Sequence, residues 1–434
     1  MSADHSRDPQ HFQLADWLAW MEAHHPRQIE LGLERVRTVA ARLSISPAQA
    51  KVITVAGTNG KGSCVAFLES LLKAHGFRVG AYTSPHLLHY NERVRFDGQP
   101  VDDAALCAAF RAVHAALGDT SLTYFEFGTL AAMWLFQQAP LDVWVLEVGL
   151  GGRLDAVNII DADVAVITTI DLDHQDWLGN DRESIGREKA GIFRRDRWAI
   201  CVDPQPPASL MSTAQSVGAR WLALGAQVRV AVRADAWDWS APGLPDAPPL
   251  ADLPRPSLPL PSAIAAVTAL ASLQLPLRIE TVRDCLRDTR LAGRFQVIER
   301  DGVEVVFDVA HNPQAARGLA QQLRDQPVKR TLAVFEIMQD KDVGGIVEPL
   351  LAQIDAWYVG GLPDNPRAAK TADLAPALRA LGAAAVNEFD AVVSAFAGAC
   401  ADARGVDRIV VFGSFFTVAA VLTRLATGNK NAGD

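Results

Sequence analysis

The sequence predicts an α/β protein: a P-loop-containing, mostly parallel sheet domain followed by a second, smaller Rossmann-like α/β domain. Three observations carry that prediction. Short β-branched runs alternate with longer Ala/Leu-rich segments along the 434 residues, the pattern of parallel strands joined by crossover helices. A glycine-rich loop ending in a lysine and a serine stands between the first such strand and its helix. Eight prolines within residues 242–261 separate one strand-helix series from another.

Taken in order, KVITVAG (51–57) reads as a buried strand entering a glycine turn, and CVAFLESLLKAHG (64–76) as the helix leaving it. DVWVLEVG (142–149) and DVAVITTI (163–170) are the nearly continuous apolar runs of a sheet covered on both faces. Each ends in charged or glycine-rich residues, where open α/β sheets place their ligands. The proline-dense stretch excludes helix and central strand and is expected to be extended and loop-rich. A second series starts near Gly293, where QVIER and VEVVFDVA flank Asp301-Gly302, a strong hairpin signal. Strands recur at RTLAVFE, AWYVGG, AAAVNEF and RIVVFGS. The boundary is placed at residue 295, giving domains 1–295 and 296–434.

Composition narrows the function. A chain of this length is too long for one ordinary core. Forty-one Lys plus Arg against fifty Asp plus Glu give a net charge of −9, which argues against a broad nucleic-acid-binding face but leaves room for a local anion pocket. The polar start MSADHSRDPQHF lacks a signal-peptide core, and no run reaches the ~18 apolar residues of a membrane span, so a cytoplasmic location is expected. Five cysteines scattered singly read as reduced packing thiols.

The segment VAGTNGKGS (55–63) has the placement a phosphate cradle requires. Gly57, Gly60 and Gly62 let the backbone approach an anion, Thr58 and Asn59 complete the turn, and N–H groups at the helix start point into it. Lys61 would lie along the β- and γ-phosphates and Ser63 would approach a metal. The spacing is one residue shorter before the lysine than in GxxxxGK[ST], with Gly62 inserted before the serine.

GTNGKGS resembles the P-loop of the folylpolyglutamate synthase and dihydrofolate synthase family, within the muramyl-ligase superfamily. TSPHL (83–87), LEVGLGGRLDAVN (146–158), DLDHQDWLG (171–179) and REKAGI (187–192), the last expected to open a helix, fit that family in the same order. The resemblance implies ATP and Mg²⁺ as cofactors, with Ser84, Glu147 and His174 as metal ligands. Read singly, these are a turn hydroxyl, a satisfied strand-end carboxylate and a loop residue. It also implies that Lys189 is carbamylated, turning a cation into a carboxylate able to bind a second Mg²⁺. The alternative is a helix-surface lysine paired with Glu188 or Glu183.

In TYFEFGTLAA (123–132), Thr123, Tyr124, Phe125 and Glu126 form the implied substrate segment. Phe125 and Phe127 would stack on a pterin and Glu126 would bond its ring nitrogens; a helix with core aromatics is the alternative. Leu154, Asp155 and Ala156 match the position that accommodates dihydropteroate in bifunctional members. Further on, LAGRFQ (291–296), DVAHNP (308–313) and DKD (340–342) also match. Arg294 and Asp308 would contact ATP across the cleft, and His311 with Ser414 would hold the incoming glutamate. Three departures stand out. Ser262 occupies the place of an asparagine near the adenine, Glu336 and Met338 replace the small residues of a VFG-type turn, and Phe416 fills a variable aromatic or histidine position.

The chemistry implied is a ligase joining L-glutamate to dihydropteroate and to reduced folates through an acyl phosphate, acting as a monomer on small molecules, with no nucleic-acid or membrane partner. Phosphoryl transfer to a carboxylate depends on positioning and charge neutralisation, and the acyl phosphate then needs water excluded by closing domains. Three alternatives stay open: a folylpolyglutamate synthase only, a muramyl-type amino-acid ligase, and an ATP-binding regulator without chemistry. About fifty residues before the loop leave little room for the nucleotide-sugar domain of the second.

Overall fold

In the computed structural model, which describes residues 9–27 and 29–430, the KVITVA run forms strand β1 (Lys51–Ala56), buried from its second residue onward. That burial pattern belongs to a strand covered on both faces, and it explains the unbroken apolar run. The strand lies inside an eight-stranded sheet ordered β4-β3-β2-β5-β1-β6-β7-β8. Here β2 is Val79–Tyr82, β3 Val94–Phe96, β4 Gln99–Pro100, β5 Val143–Glu147, β6 Val164–Ile167, β7 Trp198–Cys201 and β8 Arg220–Ala223. From β2 to β8 neighbouring strands are parallel; β3 and β4 add an antiparallel edge. The helix after β1 spans Lys61–Ala74 and starts three residues earlier than the apolar run suggested, at the loop lysine itself.

Within residues 242–261 the chain is extended, with one strand among loops before a helix begins at Leu260, and that strand joins two that precede the prolines. Strands β9 (Arg229–Val232), β10 (Ala236–Ser240) and β11 (Leu250–Pro254) form a three-stranded antiparallel sheet, with the proline-bearing strand at its edge, where a missing N–H costs nothing. Trp237 and Trp239 on β10 are buried, and Trp239 Nε1–H donates to Thr268 Oγ1 at 3.1 Å, tying this sheet to the Leu260–Ser272 helix. Pro261 sits in the first turn of that helix, where its ring is tolerated.

The chain divides into two compact units, Met1–Thr289 and Arg290–Asp434. This moves residues 290–295 into the second unit, because Gly293 O accepts the Val309 N–H at 2.9 Å and Asp308 accepts the Phe295 N–H at 2.8 Å. That unit is a six-stranded sheet ordered β12-β13-β17-β14-β15-β16. Its strands are β12 (Gln296–Arg300), β13 (Val303–Asp308), β14 (Arg330–Phe335), β15 (Ala356–Gly360), β16 (Val386–Phe389) and β17 (Asp407–Phe412). Only the β12-β13 pair is antiparallel, closed through Asp301 and Gly302 at φ 52° and 77°, the two left-handed positions of a type I′ turn. Each unit has its own core, Trp17, Phe110, Phe136 and Trp144 among the first's buried side chains and Leu319, Phe335, Trp357 and Phe412 among the second's. Among the described residues no helix is long and apolar enough to cross a membrane.

Candidate active site

Strands β2, β5, β1 and β6 lie side by side and parallel, so the segments at their carboxyl ends share one edge of the sheet. Those segments carry Ser84, Glu147, residues 57–63 and residues 168–174. Open parallel sheets receive ligands at such an edge.

The glycine loop is fixed from the β6 side. Gly57, at φ 150°, presses so closely on Thr168 that a Cβ there would fall 1.8 Å from Thr168 Oγ1. Thr168 Oγ1–H donates to Asn59 O at 2.7 Å, the Thr58 hydroxyl donates to Asp171 O at 3.0 Å, and Thr58 N–H donates to Thr169 O at 2.6 Å. The first intrahelical bond after the loop runs from Cys64 N–H to Gly60 O, so the N–H groups of Lys61, Gly62 and Ser63 have no i−4 partner inside the helix. Ser63 is 1% exposed and its hydroxyl has no hydrogen-bond partner. An enclosed, unpartnered hydroxyl beside a cradle of backbone N–H groups suits a phosphate-bound cation.

Two lysines meet at one oxygen. Lys61 Nζ donates to Gly57 O at 3.0 Å and to Thr58 O at 3.1 Å, and Lys189 Nζ donates to the same Gly57 O at 3.0 Å. Burial lowers the Lys189 pKa to about 7, the charge of Lys61 acts the same way, and Asp173 and Asp155 partly offset both. The helix-surface reading of Lys189 is therefore overturned. Glu183 instead accepts the N–H groups of Ala208 and Ser209, and Glu188 pairs with Arg153. Nor does REKAGI open a helix: Lys189 is the last residue of the Arg182–Lys189 helix, started by Asp181, whose side chain accepts the Ser184 N–H.

Of the three implied metal ligands, two touch. Glu147, 4% exposed, accepts the Ser84 N–H at 3.3 Å, and its charge adds to burial in raising the Cys64 thiol, which sets the carboxylate near the first turn of the helix. His174 is exposed, at φ 51°, three residues beyond the Asp171 carbonyl that holds Thr58. Among the described residues no cluster of three or more His, Cys, Asp or Glu forms a cation cage. A hydroxyl, one buried carboxylate and an exposed histidine match an ion that keeps waters and phosphate oxygens.

The substrate segment divides. Glu126 Oε2 accepts the Thr123 N–H at 2.8 Å in a reciprocal cap and Oε1 accepts from Arg35 at 2.8 Å, so the carboxylate expected at pterin nitrogens is committed within the protein. Phe127, 1% exposed against Trp17, Trp20 and Phe110, belongs to the core. Tyr124 and Phe125 stay half-buried, with the Arg93 guanidinium 5.5 Å from the Tyr124 ring centre. Asp155 accepts the Leu150 N–H at 2.8 Å and the Val157 N–H at 3.0 Å, with burial raising its pKa to about 6. It closes the turn that carries half-buried Leu154 and buried Ala156.

In the second unit Arg294, Asp308 and His311 lie near the carboxyl end of β13. The Asp308 carboxyl accepts the Phe295 and Ala310 N–H groups, each at 2.8 Å; burial raises its pKa and Arg294 opposes that. The Arg294 guanidinium lies 5.0 Å from the Phe415 ring centre, and the His311 ring 6.4 Å from the same ring. Ser414, expected at the glutamate, is 4% exposed and turned inward: it accepts the Thr417 N–H at 3.0 Å and lies 3.3 Å from Glu336 Oε2. Ser262 likewise donates to Gly60 O at 3.0 Å, bracing the loop rather than facing a base. Sequence reasoning missed Thr168, Thr169 and Phe415. The hydroxyl pair directly after an apolar strand in ITTID was the available signal for the first two.

Family models describe the chain in two places: residues 55–202 match the Mur ligase middle domain, and residues 293–415 match the Mur ligase, glutamate ligase domain. The chain is 47% identical over 411 residues to the dihydrofolate synthase/folylpolyglutamate synthase of Escherichia coli strain K12, covering 94% of each. It is 39% identical over 430 residues to that of Haemophilus influenzae, covering 94% of this chain and 96% of the relative. Among solved structures, Escherichia coli FolC in complex with DHPP and ADP superposes with a TM-score of 0.92 at 46% identity, covering 98% of this chain and all of the other. A bifunctional folylpolyglutamate synthase/dihydrofolate synthase with Mn, AMPPNP and L-glutamate bound gives 0.88 at 45% identity, covering 96% and 99%. Matched at 47% and 39% identity over 94% of its length and by both domain models, the chain belongs to the dihydrofolate synthase/folylpolyglutamate synthase family of Mur ligases.

Proposed function

We propose that the chain is an ATP- and Mg²⁺-dependent carboxylate-amine ligase that joins L-glutamate to dihydropteroate, giving dihydrofolate, and to reduced folates, extending their glutamate tails. The observation that carries this reading is the convergence of Lys61 and Lys189 on Gly57 O beside the unpartnered Ser63 hydroxyl. ATP would supply the phosphoryl group that activates the folate carboxylate, and Mg²⁺ the charge neutralisation. Residues 57–63 would bind the phosphates through backbone N–H groups, with Lys61 balancing their charge. Ser63, Ser84, Glu147 and His174 would hold the metal. A neutral Lys189 amine can attack CO₂, forming an N–C bond and giving up one N–H proton to solvent, and the resulting carbamate would replace its bond to Gly57 O with a further anionic ligand.

We assign the flat ring to Tyr124, Phe125 and the 154–156 turn, nucleotide contacts to Arg294 and Asp308, and the incoming amino acid to His311. The bifunctional name of the relatives and the DHPP, ADP and L-glutamate held by the solved structures support these assignments. We place the activity in the cytoplasm, with small molecules as its partners. Incubating the protein with ATP, Mg²⁺, L-glutamate and either dihydropteroate or tetrahydrofolate, phosphate release is expected with both. Release with tetrahydrofolate alone would narrow the reading to polyglutamylation, and release with neither would end it.

A further inference from the structure

Glu336 follows β14, whose last residue, Phe335, pairs with Phe412 of β17. Its side chain is wholly enclosed, 0% exposed. Oε2 accepts from Thr417 Oγ1 at 2.7 Å and lies 3.3 Å from Ser414 Oγ, while Oε1 has no partner. Its main chain is engaged as well. Thr417 Oγ1 lies 3.1 Å from Glu336 O, and a Cβ on Gly413, at φ 119°, would fall 1.9 Å from that oxygen. One residue thus grips the 413–417 turn by backbone and side chain together. A buried carboxyl with an oxygen left over carries a desolvation cost that an apolar side chain of like size would avoid. Burial raises its pKa, and the hydrogen bonds from Thr417 and Ser414 oppose that.

The turn it grips presents Phe415. The Arg294 guanidinium lies 5.0 Å from that ring's centre, inside cation-π range, and the His311 ring lies 6.4 Å from the same centre. Ser414, bonded to Glu336, also caps the helix on which Phe415 rides by accepting the Thr417 N–H. We infer that Glu336 is a positioning residue: through Ser414 and Thr417 it fixes Phe415, and through Phe415 the stance of Arg294 and His311. The inference rests on the reading of Arg294 and His311 as ligand-holding residues.

The test uses the full chain and three variants, Glu336→Ala, Glu336→Gln and Thr417→Val. One readout is the set of KM values in the phosphate-release assay. The other is the ring resonance of His311 in histidine-labelled protein, identified by its loss in His311→Gln. Glu336→Ala should raise KM for ATP and L-glutamate about tenfold while KM for dihydropteroate stays within about twofold, and the His311 resonance should move. Thr417→Val should do the same by removing the hydroxyl from the other side. Glu336→Gln, a neutral side chain that keeps an acceptor oxygen, should leave both readouts near the parent. A lower melting temperature in the Ala and Val variants, with KM values and the His311 resonance unchanged, would mean a merely structural cluster and overturn the inference. If the parent protein releases no phosphate, the ligase reading fails, and the His311 resonance alone still decides whether Glu336 positions this group.

Discussion

Lys61 and Lys189 share one carbonyl oxygen yet differ in setting, and the difference separates their roles. Lys61 is half-buried, and its charge is the cation the phosphate loop offers. Lys61→Ala should lower kcat by at least about a thousandfold, since charge stabilisation at transferring phosphoryl groups is worth several kcal/mol, while the melting temperature changes little. Turnover near the parent rate would remove the phosphate-loop argument. Lys189 is enclosed, with its pKa brought down to about 7. Below that pH it is an ammonium with no lone pair to attack CO₂; above it the neutral amine predominates. Carbamate formation should therefore rise from pH 6 to pH 8, seen as a carbonyl-carbon NMR signal with ¹³C-bicarbonate and absent from Lys189→Arg. A signal that does not grow across that range would count against the carbamate. The sequence placed both lysines through their motifs, but it could not tell an enclosed Lys189 from a surface one, because its burial comes from the distant contact with Gly57.

Element by element, the phosphate loop depends on what lies behind it. Gly57→Ala would drive a methyl group into Thr168 Oγ1 at 1.8 Å, so either the loop or the residue 168 segment must shift. A 1 Å misplacement of phosphate-binding groups costs about a hundredfold, and a loss of that size in kcat/KM is expected by phosphate release, with unchanged kinetics contradicting the loop geometry. Asp155→Ala would strip two acceptors from the turn that carries Leu154 and Ala156. We expect dihydropteroate use to suffer more than tetrahydrofolate use, and equal losses would remove the 154–156 turn from the substrate assignment. The parallel strands were legible in the sequence because strands buried on both faces write themselves as unbroken apolar runs, and the hairpin because Asp301-Gly302 is the residue pair a type I′ turn demands. The β9–β11 sheet was not, since prolines mask an edge strand, although the alternation in AWDWS over 236–240 recorded which side of β10 is buried. The partners of Glu126 and Ser414 were hidden for another reason. An acid or hydroxyl in a capping position can serve the helix or a ligand, and only the partner across space, Arg35 or Glu336, decides.

At the scale of the molecule, the two units are separately built. The second has its own six-stranded sheet and a core in which Phe335 lies 4.8 Å from Phe412 and 5.7 Å from Trp357. Residues 290–434 are long enough to bury roughly two-thirds of their unfolded surface, which is sufficient for an independent domain. Trp357 is the one tryptophan beyond residue 289 and is 0% exposed, so it reports this core alone. A fragment of residues 290–434 should fold cooperatively, with blue-shifted Trp357 emission that moves to the red in a single transition with urea. It should release no phosphate from ATP, because every residue of the 57–63 loop is missing. Red, solvent-exposed emission without a transition would show that this core closes only with residues 1–289 present, and that the two sheets make one folding unit rather than two.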